Sequence, residues 1–359
     1  MSDLKIFKEF SHELVKKFIE KCPECYQMMN ETDHNDFERD FYSEWHMEGN
    51  VWTHTMMVYS HYIRSVEENG SFKNYENWKL VLVSILLHDV GKCYTRKWYE
   101  DKNRIMFRGH SGVSTIFAIK MIQELLPECT EDQIVFILRL INYHQDFFDI
   151  NFKSWEKFQN SSNLFLSLID HRQSDYFGNI SFNNDNIDYK VVDQVLMKTR
   201  LTEKINYYVT SADATFLIGL PCSGKSTYAK KLNGVKHSRD DIVMELYEGN
   251  SYNKAFENVD QKEVDRIFRE RFEKSMLFRE DIVIDRTNLT YKGRMKFVNQ
   301  LRQNKYKIIY KVFLTDFDTI IKRNESRISK TIPIEVFNTM MGSFKMPYDN
   351  EFDEIEYIF

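Results

Sequence analysis

The residues that most clearly suggest chemistry form a glycine-rich loop from Gly219 to Ser226, with the sequence GLPCSGKS. This spacing matches GxxxxGK[ST], in which glycines let backbone N–H groups surround a phosphate. Lys225 would then reach the β and γ phosphates of a nucleotide, and Ser226 would ligate the accompanying metal ion. We therefore predict a site for ATP, or another nucleoside triphosphate, with Mg²⁺, formed by Gly219, Ser223, Gly224, Lys225, Ser226 and Thr227.

Carboxylates that could complete this chemistry follow the loop. Asp240, in the segment Arg-Asp-Asp at 239–241, could take a proton from an acceptor hydroxyl, although two solvated loop carboxylates are the alternative interpretation. Asp285 ends an apolar run, at the edge where open α/β sheets bind ligands, and suits a magnesium-bound water; Thr287 and Asn288 follow it. These positions predict a phosphoryl-transfer site.

Positive charge is concentrated in residues 286–330, which contain 12 Lys and Arg against three acidic residues. Arg323 and Arg327 are four residues apart in a predicted helix, so both guanidinium groups would lie on one face. We predict that they form a lid over the ATP phosphates. Ordinary exposed helix arginines are the alternative.

A second group of candidate residues lies in the first half of the chain. His88 and Asp89 end an apolar helix and could offer nitrogen and oxygen ligands to a divalent metal. Such ligands suit Mn, Ni, Co, Fe or Zn without selecting among them. Lys92 could contact a substrate phosphate, and an ordinary surface lysine is the alternative. Further candidate ligands are distant along the chain and would converge only through folding: His54, His110, His144 and Asp170.

Hydrophobic periodicity predicts two domains. Helical spacing occurs at 79–88, 111–126, 132–144 and 163–173, with a further helix or connector at 191–208. Short apolar runs at 215–219, 282–285 and 307–314 then alternate with helical segments. The sequence thus predicts an all-α domain at 1–210 and an α/β domain with a parallel sheet and a helical lid at 211–359.

Composition agrees with a folded protein of two domains. The 359 residues are 42% hydrophobic and 29% charged, with a net charge of -5. No apolar stretch reaches the roughly 20 residues needed to cross a bilayer, and we predict a cytoplasmic protein without a membrane partner. The five cysteines are expected to be reduced. Cys22 and Cys25 form one CxxC, more consistent with a structural role than with a zinc site, which needs four ligands.

The second half resembles the polynucleotide 5′-kinases of phages and of nucleic-acid repair enzymes over residues 213–345. The motifs GxPxSGKST, RDD, TNL and KRNxxR, followed by Pro333-Ile334, occur in the same order. The resemblance implies that Asp240 is the general base, that Lys225 and Ser226 serve ATP and its metal, and that the two arginines form the lid. The phage pattern has an arginine that contacts a 3′ phosphate where this chain has Val243.

The first half looks like the HD domain of bacterial tRNA nucleotidyltransferases and related phosphatases, over roughly residues 40–180. The resemblance rests on EWHMEGNVWTHT at 44–55, LLHDVGK and FRGHSG. It implies one metal held by His54, His88, Asp89 and Asp170. A second metal, if bound, would be held by His110 and His144, with Asp89 as the bridge.

Both halves together resemble the bifunctional HD-phosphatase/polynucleotide kinases that heal broken RNA or DNA ends. The resemblance implies phosphorylation of 5′-OH ends, removal of 2′,3′-cyclic, 2′ or 3′ phosphates, and a separate ligase as partner. The choice among RNA, DNA and the three phosphate types stays open. Two alternatives also remain: a small-molecule or nucleoside kinase fused to an HD nucleotidase or phosphodiesterase, and an end sensor without catalysis at one site.

Overall fold

The computed structural model describes residues 2–44, 46–69, 77–147, 157–158, 161–178, 212–249, 251–327 and 330–359. These residues form two compact units, one before and one after residues 179–211. The predicted helix at 191–208 and the predicted boundary near residue 210 lie outside the described residues and stay predictions. No helix in the described ranges has the length and apolar character that spanning a bilayer requires.

The first unit consists of α-helices and one short hairpin, which confirms the predicted helical domain apart from the hairpin. Its helices are α1 (Ser2–Lys21), α2 (Pro23–Glu31), α3 (Val51–Asn69), α4 (Trp78–Leu87), α5 (Lys92–Thr95), α6 (His110–Leu125), α7 (Glu131–Tyr143) and α8 (Ser162–Phe177). The hairpin pairs β1 (Lys97–Tyr99) with β2 (Arg104–Met106) in antiparallel fashion. The four predicted helices correspond to α4, α6, α7 and α8, each of which begins one residue before the predicted start.

Helix α4 forms the centre of this unit. Every residue from Leu80 to Leu87 is buried, as expected for a helix that is apolar on all sides. The turn after α4 approaches α6 so closely that only glycine fits: a Cβ on Gly91 would lie 2.3 Å from the carbonyl oxygen of His110. Gly91 N–H donates to Ser114 Oγ over 2.8 Å. This contact fixes the turn that carries Asp89 beside the first residue of α6.

The second unit is an α/β domain, as predicted. Its strands are β3 (Ala212–Ile218), β4 (Val235–Ser238), β5 (Ile282–Asp285), β6 (Tyr306–Phe313) and β7 (Glu354–Ile358). Its helices are α9 (Lys225–Ala229), α10 (Arg239–Glu245), α11 (Tyr252–Asn258), α12 (Gln261–Phe278), α13 (Tyr291–Gln303), α14 (Phe317–Glu325) and α15 (Ile334–Gly342). The described strands form one parallel sheet in the order β4-β5-β3-β6-β7.

The sheet places three chain segments on one side, because parallel strands all end on the same side. Asp285 pairs with Leu217 on one neighbouring strand and with Ser238 on the other. The loops that begin at Gly219 and Arg286 and the first turn of α10 at Arg239 therefore leave adjacent strands side by side. The strand prediction did not include β7, whose alternation of charged and apolar residues, EIEYI, follows from its place at the sheet edge.

A buried ion pair ties this edge to the end of the chain. Arg294 and Glu351 are both fully buried and form two hydrogen bonds, of 2.6 Å from Nε and 2.8 Å from Nη2. Arg294 Nη1 also donates to the carbonyl oxygens of Asn288, Leu289 and Lys345, at 2.9–3.1 Å. The pair thus holds the loop after β5 in place.

Candidate active sites

Helix ends converge on a histidine and aspartate cluster in the first unit. His54 lies on α3, His88 and Asp89 follow α4, His110 begins α6, and His144 follows α7. His88 Nε2 and His110 Nε2 each lie 3.2 Å from a different oxygen of Asp89. His54 Nε2 lies 3.4 Å from Asp89 Oδ2, and His144 Nε2 3.9 Å from Oδ1. Asp89 thus stands between two histidine pairs, in the arrangement that a bridging ligand would have.

The other ring nitrogen of each histidine is held by an acceptor. Nδ1 of His88, His110 and His144 donates to the carbonyl three residues earlier, over 2.6, 2.8 and 2.6 Å respectively. Nδ1 of His54 lies 2.7 Å from Glu48 Oε1. Because Nδ1 of His88, His110 and His144 carries the proton in these bonds, Nε2 of each presents a lone pair to the cluster.

Two buried ring nitrogens of the cluster lack a hydrogen-bond partner. They are Nε2 of His54 and Nε2 of His88. Such atoms are costly to bury unless something satisfies them. The ligand atoms fall into two sets that could each hold a metal ion, His54-His88-Asp89 and Asp89-His110-His144. A divalent cation fits this donor set.

The second unit places the predicted phosphate loop between β3 and α9. Gly224 has φ of 100°, a left-handed conformation that glycine adopts without strain. Lys225 is buried, and its Nζ donates to the carbonyl oxygens of Gly219 and Leu220 over 2.8 and 2.6 Å. Ser226 and Thr227 are exposed. The loop is therefore closed on its own lysine.

Thr287 and Asn288 support this loop, Thr287 through its backbone carbonyl and Asn288 through its side-chain amide. Gly219 N–H donates to the Thr287 carbonyl over 3.0 Å, and Asn288 Nδ2 donates to the Leu217 carbonyl over 2.8 Å. Thr315 Oγ1 donates to the Ser223 carbonyl over 3.2 Å. These contacts define the shape of the loop from both neighbouring strands.

Two different domain profiles match the two units that carry these sites. The profile of HD domains matches residues 51–175, and that of AAA domains, which contain a phosphate loop of this type, matches residues 215–347. The chain joins an HD domain to a P-loop kinase-like domain. Over 131 residues it is 28% identical to a protein of Autographa californica nuclear polyhedrosis virus, provisionally named a bifunctional polynucleotide kinase/RNA ligase. That match covers 34% of this chain and 19% of the viral protein.

In the HD domain, one predicted metal ligand is corrected. Asp175 Oδ1, not Asp170, lies 3.3 Å from His54 Nε2 and 3.9 Å from His88 Nε2. The two aspartates are five residues apart on α8, so they point in directions about 140° apart around the helix. Gly178, the residue after α8, lies so close to α3 that a Cβ there would be 2.4 Å from the Cα of Val58. The end of α8 that carries Asp175 therefore packs on α3, which carries His54.

The sequence reasoning also missed residues that support the cluster. Glu48 contacts His54, and its Oε1 lies 3.0 Å from His46 Nδ1. His46 stacks on His34 with ring centroids 4.3 Å apart. His34 Nε2 in turn lies 3.1 Å from Nζ of Lys92. The motif at 44–55 contained His46 and Glu48, but only folding shows that they orient a ligand.

Lys92 is buried, with Nζ 2.7 Å from Asp89 Oδ2. Burial opposes the charge of Asp89, but His88 and Lys92 outweigh it and hold the pKa of Asp89 well below its usual range. Burial also lowers the pKa of His54, yet Asp175 and Glu48 reverse this and raise it to about 9. The ionised carboxylates of this site thus favour the binding of a cation.

In the kinase-like domain, the prediction that Arg323 and Arg327 lie on one helix face is corrected. Arg323 lies on α14 and its Nη1 donates to the Cys222 carbonyl over 3.2 Å, so it lies against the phosphate loop. Arg327 lies beyond α14, which ends at Glu325, and the two arginines do not share a helix face. The chain turns back here because the side chain of Asn324 makes two 2.9 Å hydrogen bonds to the backbone of Ile332.

Asp240 lies at the start of α10, with its side chain 52% exposed. Tyr252 OH donates to Oδ1 over 2.5 Å, and Lys330 Nζ forms an ion pair with Oδ2. Partial burial would raise the pKa of Asp240, but Lys330 and Tyr252 lower it. Asp240 is therefore ionised at neutral pH and open to an acceptor.

Asp285 is buried at the end of β5, where Lys236 Nζ lies 3.5 Å from Oδ2. Burial lowers the pKa of Lys225 to about 8, while Asp285 and Asp240 oppose this shift. Both carboxylates thus act on the lysine of the phosphate loop, which places candidate metal ligand, base and phosphate cradle in one site.

Proposed function

We propose that the chain heals nucleic-acid ends: the kinase-like domain phosphorylates 5′-OH ends with ATP, and the HD domain removes 2′,3′-cyclic, 2′ or 3′ phosphates. The observation that carries the proposal is the exposed, ionised Asp240 beside a phosphate loop, in one chain with a buried His/Asp cluster. Breaks that leave 5′-OH and blocked 3′ ends need both reactions before a ligase, here a separate partner, can act.

In the kinase reaction, Lys225 exchanges its contacts with the Gly219 and Leu220 carbonyls for the β and γ phosphates. Ser226 and Asp285 would hold the Mg²⁺ ion that accompanies ATP, Ser226 directly and Asp285 through water. Arg323, already against the loop, neutralises charge that develops on the transferred group, with Arg327 beside it. Asp240 orients the 5′-OH and accepts its proton as the new bond from this oxygen to the γ phosphorus forms, the bond from that phosphorus to the β,γ-bridging oxygen breaks, and ADP leaves.

In the HD domain, one divalent metal would be held by His54, His88, Asp89 and Asp175, and a second would be held by His110, His144 and Asp89. Bound metals of this kind polarise a phosphoryl group and supply hydroxide from water. Glu48 keeps Nε2 of His54 directed at the site. Lys92 holds Asp89 and supplies positive charge beside the substrate phosphate.

A polynucleotide acceptor is favoured over a free nucleoside by two observations. Asp240 is half exposed rather than enclosed, which leaves room for a large acceptor. The viral relative, although similar over only part of its length, is named for polynucleotide kinase activity. The alternative metabolic kinase would act on small hydroxyl compounds.

The experiment that tests the kinase half offers equal concentrations of a 5′-OH oligonucleotide and a free nucleoside, with Mg²⁺ and γ-labelled ATP. We expect label on the 5′ end of the oligonucleotide, with a much higher kcat/KM than for the nucleoside. Preference for the nucleoside would instead support the metabolic alternative. RNA and DNA versions of the oligonucleotide show which polymer is preferred.

A further inference from the structure

Arg286 is a cation beside the candidate base Asp240. It has no role in the proposed kinase reaction. It is the residue directly after β5, and Asp240 is the second residue after β4. Because Ser238 pairs with Asp285, the two segments leave neighbouring strands at the same level. Neighbouring strands are about 4.8 Å apart, so Arg286 and Arg239 emerge next to each other at the edge that carries Asp240.

Two aromatic rings fix the guanidinium group of Arg286. Its Cζ lies 5.2 Å from the ring centre of Phe268 and 5.6 Å from that of Phe297. The two rings are 5.9 Å apart and inclined at 65°. Arg286 is only partly buried. Cation–π contacts of this kind hold the flat group in place and leave its N–H donors available to a ligand.

Within the described ranges, no carboxylate or carbonyl group hydrogen-bonds to the Arg286 guanidinium. The neighbouring cations differ: Arg239 Nε donates to Asp265 Oδ1 over 2.9 Å, and Lys330 pairs with Asp240. Burial lowers the pKa of Arg286 and Arg239 adds to this, although Asp265 and Asp240 oppose it. A fixed, partly desolvated guanidinium without an anion is a suitable phosphate site.

We propose that Arg286 binds the phosphate on the 3′ side of the nucleotide whose 5′-OH is phosphorylated, an inference that rests on the proposed kinase function. Every internal linkage of a polynucleotide supplies that phosphate, whereas a nucleoside lacks it. Val243, the position at which the phage pattern has its arginine, is fully buried and cannot contact an acceptor. Arg286, which follows β5 rather than β4, would therefore supply the phosphate contact that selects polynucleotides over nucleosides.

The test compares Arg286→Gln, which keeps much of the side-chain stem, with the full-length wild type on a 5′-OH oligonucleotide. We expect kcat/KM for the oligonucleotide to fall about 10- to 100-fold, as for loss of one charged hydrogen bond. KM for ATP should not change. Since one phosphate contact is lost, the slope of log kcat/KM against log salt should become shallower by about 0.7. Arg286→Lys should recover part of the loss.

Two controls separate recognition from folding. Arg269→Gln removes the same charge from an exposed position on α12 and should leave the oligonucleotide kinetics and their salt slope unchanged. On a free nucleoside, the residual rate of Arg286→Gln should equal that of the wild type. An unchanged salt slope, or an equal loss on nucleoside and oligonucleotide, would overturn the assignment. A wild type that labels no polynucleotide would overturn the proposed function itself.

Discussion

The two candidate sites differ in how their polar atoms are satisfied. In the HD domain, Nε2 of His54 and Nε2 of His88 are buried without hydrogen-bond partners. In the kinase-like domain, Lys225 is equally buried but makes two short hydrogen bonds to its own loop. The first site presents ligand atoms that suit a cation, and the second is closed on the ammonium group of its own lysine.

This difference indicates two ways to prepare a site for phosphate chemistry. The HD cluster needs tertiary packing of helix ends and gains stability when a metal satisfies its ligands. The phosphate loop is local in sequence, and its lysine exchanges partners when a nucleotide binds. Metal binding should therefore stabilise the first unit without rearrangement, whereas nucleotide binding should move Lys225.

The largest expected effect is on the kinase side. In the proposed mechanism Asp240 accepts the proton of the 5′-OH, so Asp240→Asn should lower kcat for oligonucleotide phosphorylation about 10²- to 10⁴-fold and leave phosphate removal by the HD domain unchanged. Asp241→Asn is the matched control: it removes the adjacent carboxylate, which pairs with Lys236 at 2.9 Å and has no role in the proposed reaction. Initial rates of both reactions measure the effect. Equal rates for Asp240→Asn and wild type would exclude Asp240 as the base.

The next effect concerns stability and should be confined to the kinase-like domain. Glu351→Ala leaves the fully buried Arg294 without its partner and should lower the free energy of unfolding by about 3–5 kcal/mol. Glu356→Ala, which breaks the exposed pair with Lys311, should cost at most about 1 kcal/mol. Urea unfolding followed separately by loss of kinase and phosphatase activity would show whether the HD domain is affected. Similar midpoints for the two variants would contradict the role of the buried pair.

A third prediction tests the corrected metal ligand. Asp175→Asn should weaken metal binding by about 100-fold, the upper range for residues that support a metal, and should reduce phosphate release accordingly. Asp170→Asn, on another face of α8, should retain both. Metal content after dialysis against graded chelator measures the difference. The reverse ranking would restore Asp170.

The smallest effect is expected at Glu48. Glu48→Gln keeps the shape but removes the charge that orients His54, so metal affinity should fall about 10- to 100-fold. The kinase rate serves as the internal control, and it should not change. Wild-type metal affinity in the variant would mean that His54 is oriented by other contacts.

The sequence predicted the kinase-like site better than the HD site, for a physical reason. Phosphate loop, base and strand end are short motifs that each follow a strand, so local order determines their position. In the HD domain, the choice between Asp170 and Asp175 depends on which side of α8 packs on α3. The four-residue spacing of Arg323 and Arg327 predicts a shared helix face, but α14 ends at Glu325, and Asn324 instead bonds to the backbone of Ile332. Periodicity does not show where a side chain ends a helix or which side of a helix packs on another element.

The most direct test of the account supplies one RNA with a 5′-OH end and a 2′,3′-cyclic phosphate end, together with ATP, Mg²⁺ and a transition metal, and maps both termini. The wild type should yield a 5′ phosphate and a 3′ end freed of its phosphate. Asp240→Asn should leave only the 5′ end unchanged, and Asp89→Asn only the cyclic phosphate. If neither end changed with the wild type, or if each variant abolished both reactions, the account of two independent end-healing sites would be wrong.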